Sequence, residues 1–342
     1  MMTGGEKKRP VGLLYLWLVL ILAAVCVVSL CCGHYAIDPW KCIRILVSAP
    51  FGGTGDWSAL DRSVLIGLRL PRILGAVLVG ACLSVSGGAY QSVFQNPLVS
   101  PDILGVSSGA CVGAAAAILL HQQNLMVMLF AFAAGVLTVA ATLAIPRLLR
   151  SESNIMLVLS GIIVGSAMSS ILGFLKYAAD PDSELAAITY WTMGNFGYVQ
   201  ADKLLPLVCV TLPPLVILLL MSWWIDVLSM GEAEARALGA NVRLIRGLAI
   251  LCSTLLTAGS DCIAGTISWV GLIVPHFARL LVGPASRRLQ PTSILLGGLF
   301  MLLVDTLTRI IGEAEMPVSI MTGLIGAPVF CWLLWRQREA AQ

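Results

Sequence analysis

The stretch from Arg69 to Gly109, RLPRILGAVLVGACLSVSGGAYQSVFQNPLVSPDILGVSSG, decides the fold. Two arginines, Arg69 and Arg72, open a Gly- and Ala-rich apolar run. The run ends in a polar, proline-broken elbow, Gln95-Asn96-Pro97 to Pro101-Asp102, and a second apolar run starts at once. Hydrocarbon cannot satisfy backbone groups freed at such a break, so the elbow belongs where protein or a water-filled cavity covers it. The pattern points to a membrane protein with a passage through it.

The rest of the chain agrees. Of 342 residues, 58% are hydrophobic and 11% charged, against about 25% charged in a soluble domain. This excludes an ordinary cytosolic enzyme. The net charge of +3 and the lack of Lys/Arg clusters interleaved with aromatics argue against nucleic-acid binding. Lys7-Lys8-Arg9 precedes an apolar run that is long for a signal peptide and has no clear cleavage site, so it reads as a first span that stays. Most of the ten cysteines sit in apolar runs, where Cys behaves as a small hydrophobe. Cys31, Cys32 and Cys42 are the ones near an outer face, without the spacing of a metal site.

A spanning helix needs roughly 20 apolar residues. Ten segments fit: about 11–33, 72–94, 103–120, 124–146, 155–175, 204–225, 246–263, 267–283, 292–311 and 317–335, the third, seventh and eighth being short or Gly-rich. The expected fold is therefore an all-α polytopic membrane protein with about ten transmembrane helices. Arg147/Arg150 and Arg287/Arg288 in short loops place both termini in the cytoplasm. Two long outer loops follow, 34–71 and 176–203, the second ending in the interface aromatics Tyr190, Trp191 and Tyr198. The main inner loop is 226–245. Gly105/Gly109/Gly113 and Gly161/Gly165 have helix-packing spacing, which predicts close contacts within the chain, with dimer contacts as the alternative.

Chemistry is sparse. No phosphate-cradling G-x-x-x-x-G-K-[ST] occurs, and none of the five lysines follows a glycine. If ATP drives this protein, a separate subunit binds it. There is no H-E-x-x-H, and His34, His121 and His276 are scattered, so no catalytic or metal site is expected. Residues 228–239, LSMGEAEARALG, have strong helix propensity and a glycine stop at Gly239; they read as a short docking helix or a solvated loop. In 265–283, GTISWVGLIVPHFARLLVG, Pro275 and His276 are expected to end the apolar run early. In 304–328, VDTLTRIIGEAEMPVSIMTGLIGAP, Asp305 lies inside a span, where a charge costs about 2.5–3.5 kcal/mol. Arg309, one turn on, is its expected partner, with Glu313 and Glu315 at the outer face.

These four stretches, in order and spacing, resemble the FecCD-type permease family, the membrane subunits of type II ABC importers for iron-siderophores, haem and vitamin B12. The resemblance runs from about residue 65 to 335 and implies one transmembrane permease domain over 1–342. It implies a homodimer or a pair with a close paralogue, two ATPase subunits using ATP and Mg below, and one substrate-binding protein above. This chain would bind no cofactor and would sit in a bacterial inner membrane. Arg69, Arg72 and Arg309 match the family positions that receive acidic residues of the binding protein. Leu228, Gly231, Glu232, Glu234, Arg236, Leu238 and Gly239 match the ATPase-coupling element. Tyr90, Gln91, Gln95 and Asn96 are the polar candidates for lining the path. Tyr90, where the family has a smaller residue, and Trp269, in place of Phe, are departures. The first expectation for cargo is an iron-siderophore chelate; haem, cobalamin and molybdate are alternatives. An ion-coupled carrier is the competing class, with Asp261 and Asp305 as its only credible acids.

Overall fold

The computed structural model describes residues 11–33, 35, 37–48, 57–150, 153–311 and 315–341, without the side chains of 334 and 336–341. The Lys7-Lys8-Arg9 flank, His34 and Glu313 lie outside the described residues. The described residues form helices and connecting turns. The order is α1 (Val11–Cys31), α2 (Pro39–Ser48), α3 (Ala59–Arg62), a π-helical segment (Ser63–Arg69), α4 (Leu70–Val93), α5 (Val106–Leu119), α6 (Asn124–Leu148) and α7 (Asn154–Ala178). Then come α8 (Glu184–Thr192), α9 (Ala201–Leu220), α10 (Ser222–Ser229), α11 (Glu232–Ala237), α12 (Val242–Ala264), α13 (Val270–Val282), α14 (Ser286–Thr308) and α15 (Val318–Ala341).

Seven of these, counting α3 to α4 as one continuous helix of 35 residues, are long and apolar enough to span a bilayer. α5, α13 and α15 are shorter apolar helices over their described residues. Together they account for the ten expected spans. The seventh span is not short: α12 has 23 residues. Nor are the two long outer loops plain loops. The first carries α2 and α3, the latter opened by a capping box in which Ser58 and Asp61 satisfy each other's backbone. The second carries α8.

The fold is organised around α4, which packs on α14, α12, α13 and α9 and is buried on nearly every face. A helix that is apolar and small-residue-rich all round can be enclosed in this way. Its faces are specialised. Gly80 lies against Gly297 of α14 so closely that a β-carbon at either would overlap the other's carbonyl. A β-carbon at Gly87 would likewise overlap the Gly271 carbonyl of α13, and one at Gly271 would strike the Pro101 ring. Toward α12, Ser86 shares a 2.9 Å hydrogen bond with Thr257, and the Tyr90 hydroxyl lies 3.1 Å from that of Thr254. A second group, α5, α6 and α7, joins this centre through α12. There a β-carbon at Gly109 would meet Thr138 and Ala134, one at Gly113 would overlap the Phe130 carbonyl, and one at Gly161 the Ile103 carbonyl. The small-residue stripes thus serve close packing inside one protomer.

α13 does not stop at Pro275. It continues to Val282 and ends at Gly283, whose φ is +83°. Proline at 275 cannot donate to the carbonyl four residues back, at Gly271. The Gln91 side-chain amide supplies the missing donor, reaching the Leu272 oxygen at 3.2 Å and the Gly271 oxygen at 3.5 Å. A neighbouring helix has re-satisfied the broken turn.

Candidate functional site

Three regions carry the polar side chains that the sequence singled out: an outer rim, a central strut and an inner platform.

At the rim, Arg69, Arg72 and Arg309 come together where α4 begins and α14 ends, but as interior groups, each 6–7% exposed. Arg72 donates through Nε to Asp305 at 2.8 Å, and through Nη1 to Glu315 at 2.8 and 2.9 Å. Arg309 Nε lies 3.3 Å from the other oxygen of Asp305, the pairing expected from sequence. Arg72, 233 residues away in the chain, is the closer partner of Asp305 and could not be found by helical spacing. The Arg69 guanidinium donates to the carbonyls of Leu30 at 2.6 Å, Cys31 at 3.4 Å and Tyr35. That of Arg309 donates to the carbonyls of Ser29 at 3.3 Å and Cys32 at 3.4 Å, and to the Ser29 hydroxyl. The last turn of α1 leaves carbonyls without helical donors, and the two arginines fill that role. Of the rim charges with described side chains in this cluster, Glu315 is the more open, at 37%.

In the strut, Gln91 is 2% exposed and Tyr90 is fully enclosed. Gln91 clamps α4 to α13, and its Oε1 accepts from the Arg279 guanidinium. Both are spent on helix contacts within one protomer, because a buried amide or phenol needs its partners nearby. Gln95 and Asn96, by contrast, are exposed at the inner elbow. Gln95 adopts φ +51° and donates to the Leu228 carbonyl at 3.1 Å; Asn96 caps the backbone N–H of Leu98 at 2.9 Å. The letters G-x-S-x-G at Gly105–Gly109 spell a nucleophile elbow. Ser107 instead donates to Asp261 at 2.7 Å, and among the described residues no histidine joins that pair.

At the inner platform, the single helix expected over 228–239 is two. Leu228 lies in the last turn of α10 and is 1% exposed, whereas α11 starts at Glu232. Gly231, at φ +129°, makes the break: a β-carbon there would strike the Glu234 carboxylate. α11 closes with the Gly239 N–H on the Arg236 carbonyl at 3.0 Å and the Ala240 N–H on that of Ala235, also 3.0 Å, with Gly239 at φ +79°. This is a Schellman stop. Glu232 is tied to Arg236 at 2.9 Å and to Arg246 of α12. Ala235 is buried, while Glu234, Arg236, Leu238 and Gly239 are exposed. α10 is fastened on both sides: Gln95 holds its last turn, and Asp226 accepts from the Ser286 N–H that opens α14, at 2.7 Å.

This geometry defines a class: a polytopic permease subunit with an exposed helical knob at one end and a charge-knit rim at the other, joined by the α4–α14 pair. The chain belongs to the FecCD transport family, whose model matches residues 20–336. It is 38% identical to the molybdate import system permease protein MolB of Haemophilus influenzae, over 94% of this chain and 95% of that protein. It is 35% identical to a probable iron chelatin transport system permease protein of Helicobacter pylori, over 94% and 97%. It superposes on a solved inward-facing ABC transporter of metal-chelate type with a TM-score of 0.86, at 36% identity, covering 95% of this chain and 99% of that one. The fold is the type II ABC importer permease fold, and the chain is an ABC importer permease of the FecCD class. It is a non-catalytic transport component, the ATPase activity of such systems residing on separate subunits.

Proposed function

We propose that this chain imports a metal chelate, an iron-siderophore first, across a bacterial inner membrane. Two copies enclose the path, two ATPase subunits dock below and one binding protein docks above. The supporting observation is the continuous linkage from α11 through α10 to α14. α14 opens with the Ser286 N–H donating to Asp226 of the platform, and its far end carries Asp305 and Arg309 of the rim. A push on the exposed Glu234, Arg236, Leu238 and Gly239 passes into both α14 and, through Gln95, α4. The binding protein's acidic residues meet the rim that Arg69, Arg72 and Arg309 organise, with charge complementarity guiding encounter. The ATP and Mg belong to the partner subunits, and this chain holds no cofactor.

The ion-coupled alternative finds less support. Asp305 is paired with two arginines and Asp261 is hydrogen-bonded to Ser107. A second cargo, molybdate, is favoured by the name of the 38% identical relative. The ligand that the cognate binding protein retains on purification decides between them: a ferric chelate supports the proposal, and molybdate overturns its cargo while leaving the importer class intact. For the linkage, Glu234→Lys with Arg236→Glu should leave the chain folded and lower ATP-driven uptake about tenfold or more, on the scale of a truncated interface hot spot. Normal uptake in that variant would end the assignment of α11.

A further inference from the structure

A cavity of about 250 Å³ opens at the outer end of the protomer, behind α8. Val127, Ile263 and Ala264 form its buried floor, and the exposed Asn124, Tyr190 and Tyr198 its rim. Among the described lining residues Lys203 alone is charged. Its ammonium donates to the Tyr198 carbonyl at 2.8 Å, which leaves two of its three N–H donors for a ligand. α6 and α9 each pack along α12, and the floor joins Val127 of α6 to the end of α12. Beside the mouth, Leu125 and Leu129 of α6 and Leu205 of α9 are exposed apolar side chains, as suits a surface against lipid tails.

The geometry points to a binding site for an anionic phospholipid, with its phosphate at Lys203 and its acyl chains in the groove between α6 and α9. Tyr and Trp concentrate at the headgroup level of a bilayer, and Tyr190, Trp191 and Tyr198 supply that belt here. Lysine near the surface attracts anionic lipid. The volume suits a glycerophosphate head and falls below the roughly 300 Å³ at which pockets for drug-sized ligands begin, so a bulky chelate does not fit. Lipid lodged behind α8 would also brace that helix against α12.

The test uses the full-length chain assembled with its ATPase partners, with phosphatidylglycerol occupancy read by native mass spectrometry. Lys203→Glu should lower that occupancy about tenfold, and Lys203→Arg should keep it. Val127→Trp fills the floor without altering charge; it should also empty the site and keeps the test decisive if Lys203→Glu fails to fold. Parent-level occupancy in the Val127→Trp variant, or equal binding of phosphatidylcholine, overturns the proposal. So does displacement of the lipid by millimolar inorganic phosphate, which would make this a free-phosphate site.

Discussion

Gln91 shows how one polar side chain in a membrane helix is accounted for. It supplies the donor that Pro275 removes and accepts from Arg279. Gln91→Leu keeps the volume but orphans both, and an unsatisfied buried group costs about 1–3 kcal/mol. A lower denaturation midpoint in detergent, with Gln91→Glu closer to the parent, is the expected result. Cys42 makes a second residue-scale case, outside the spanning helices. Burial first, and then the neighbouring Cys31 thiol, push its pKa up to about 12. At pH 8 the thiol, and not the reactive thiolate, is then the dominant form. Maleimide should spare Cys42 in the folded chain, label it increasingly as pH rises toward 12, and label it readily after denaturation; peptide mass spectrometry reads this directly.

Among the elements, the contacts of α4 set the tolerances. Gly87→Val forces α4 and α13 apart, because the atom in the way is the Gly271 carbonyl, which no rotamer change can move. Overpacking of this kind costs about 1–3 kcal/mol, and lower yield of folded chain is expected. At the rim, Asp305→Asn removes the carboxylate that neutralises Arg72 and Arg309. Breaking a buried pair on one side costs about 3–5 kcal/mol. The variant should lose thermal stability by far more than Glu315→Gln, whose carboxylate is partly solvated. Near-equal melting temperatures would show that the rim is not a folding element.

For the whole molecule, the two ends should fail separately. Arg72→Gln should weaken capture of the binding protein while ATPase subunits still assemble, and changes on α11 should do the reverse. Loss of both activities from either change would mean that the chain had misfolded. The rim arginines are interior to the protomer, so the proposed docking would rest on the rim they shape as much as on the charge they present.

Hydropathy alone was enough for the spans, their order and the membrane class, since a bilayer requires long apolar segments with their backbone bonds satisfied internally. Short-range chemistry was legible too: the Asp305–Arg309 pair one turn apart, the Gly239 stop and the close-packing glycine stripes. Tertiary structure decided the rest. It placed Tyr90 and Gln91 inside helix contacts, carried α13 through Pro275, split α10 from α11 at Gly231, and brought Arg72 to Asp305. Except at Gly231, where the break is local, the partner lies far away in sequence, and whether a polar group is spent or free depends on which helix stands opposite it.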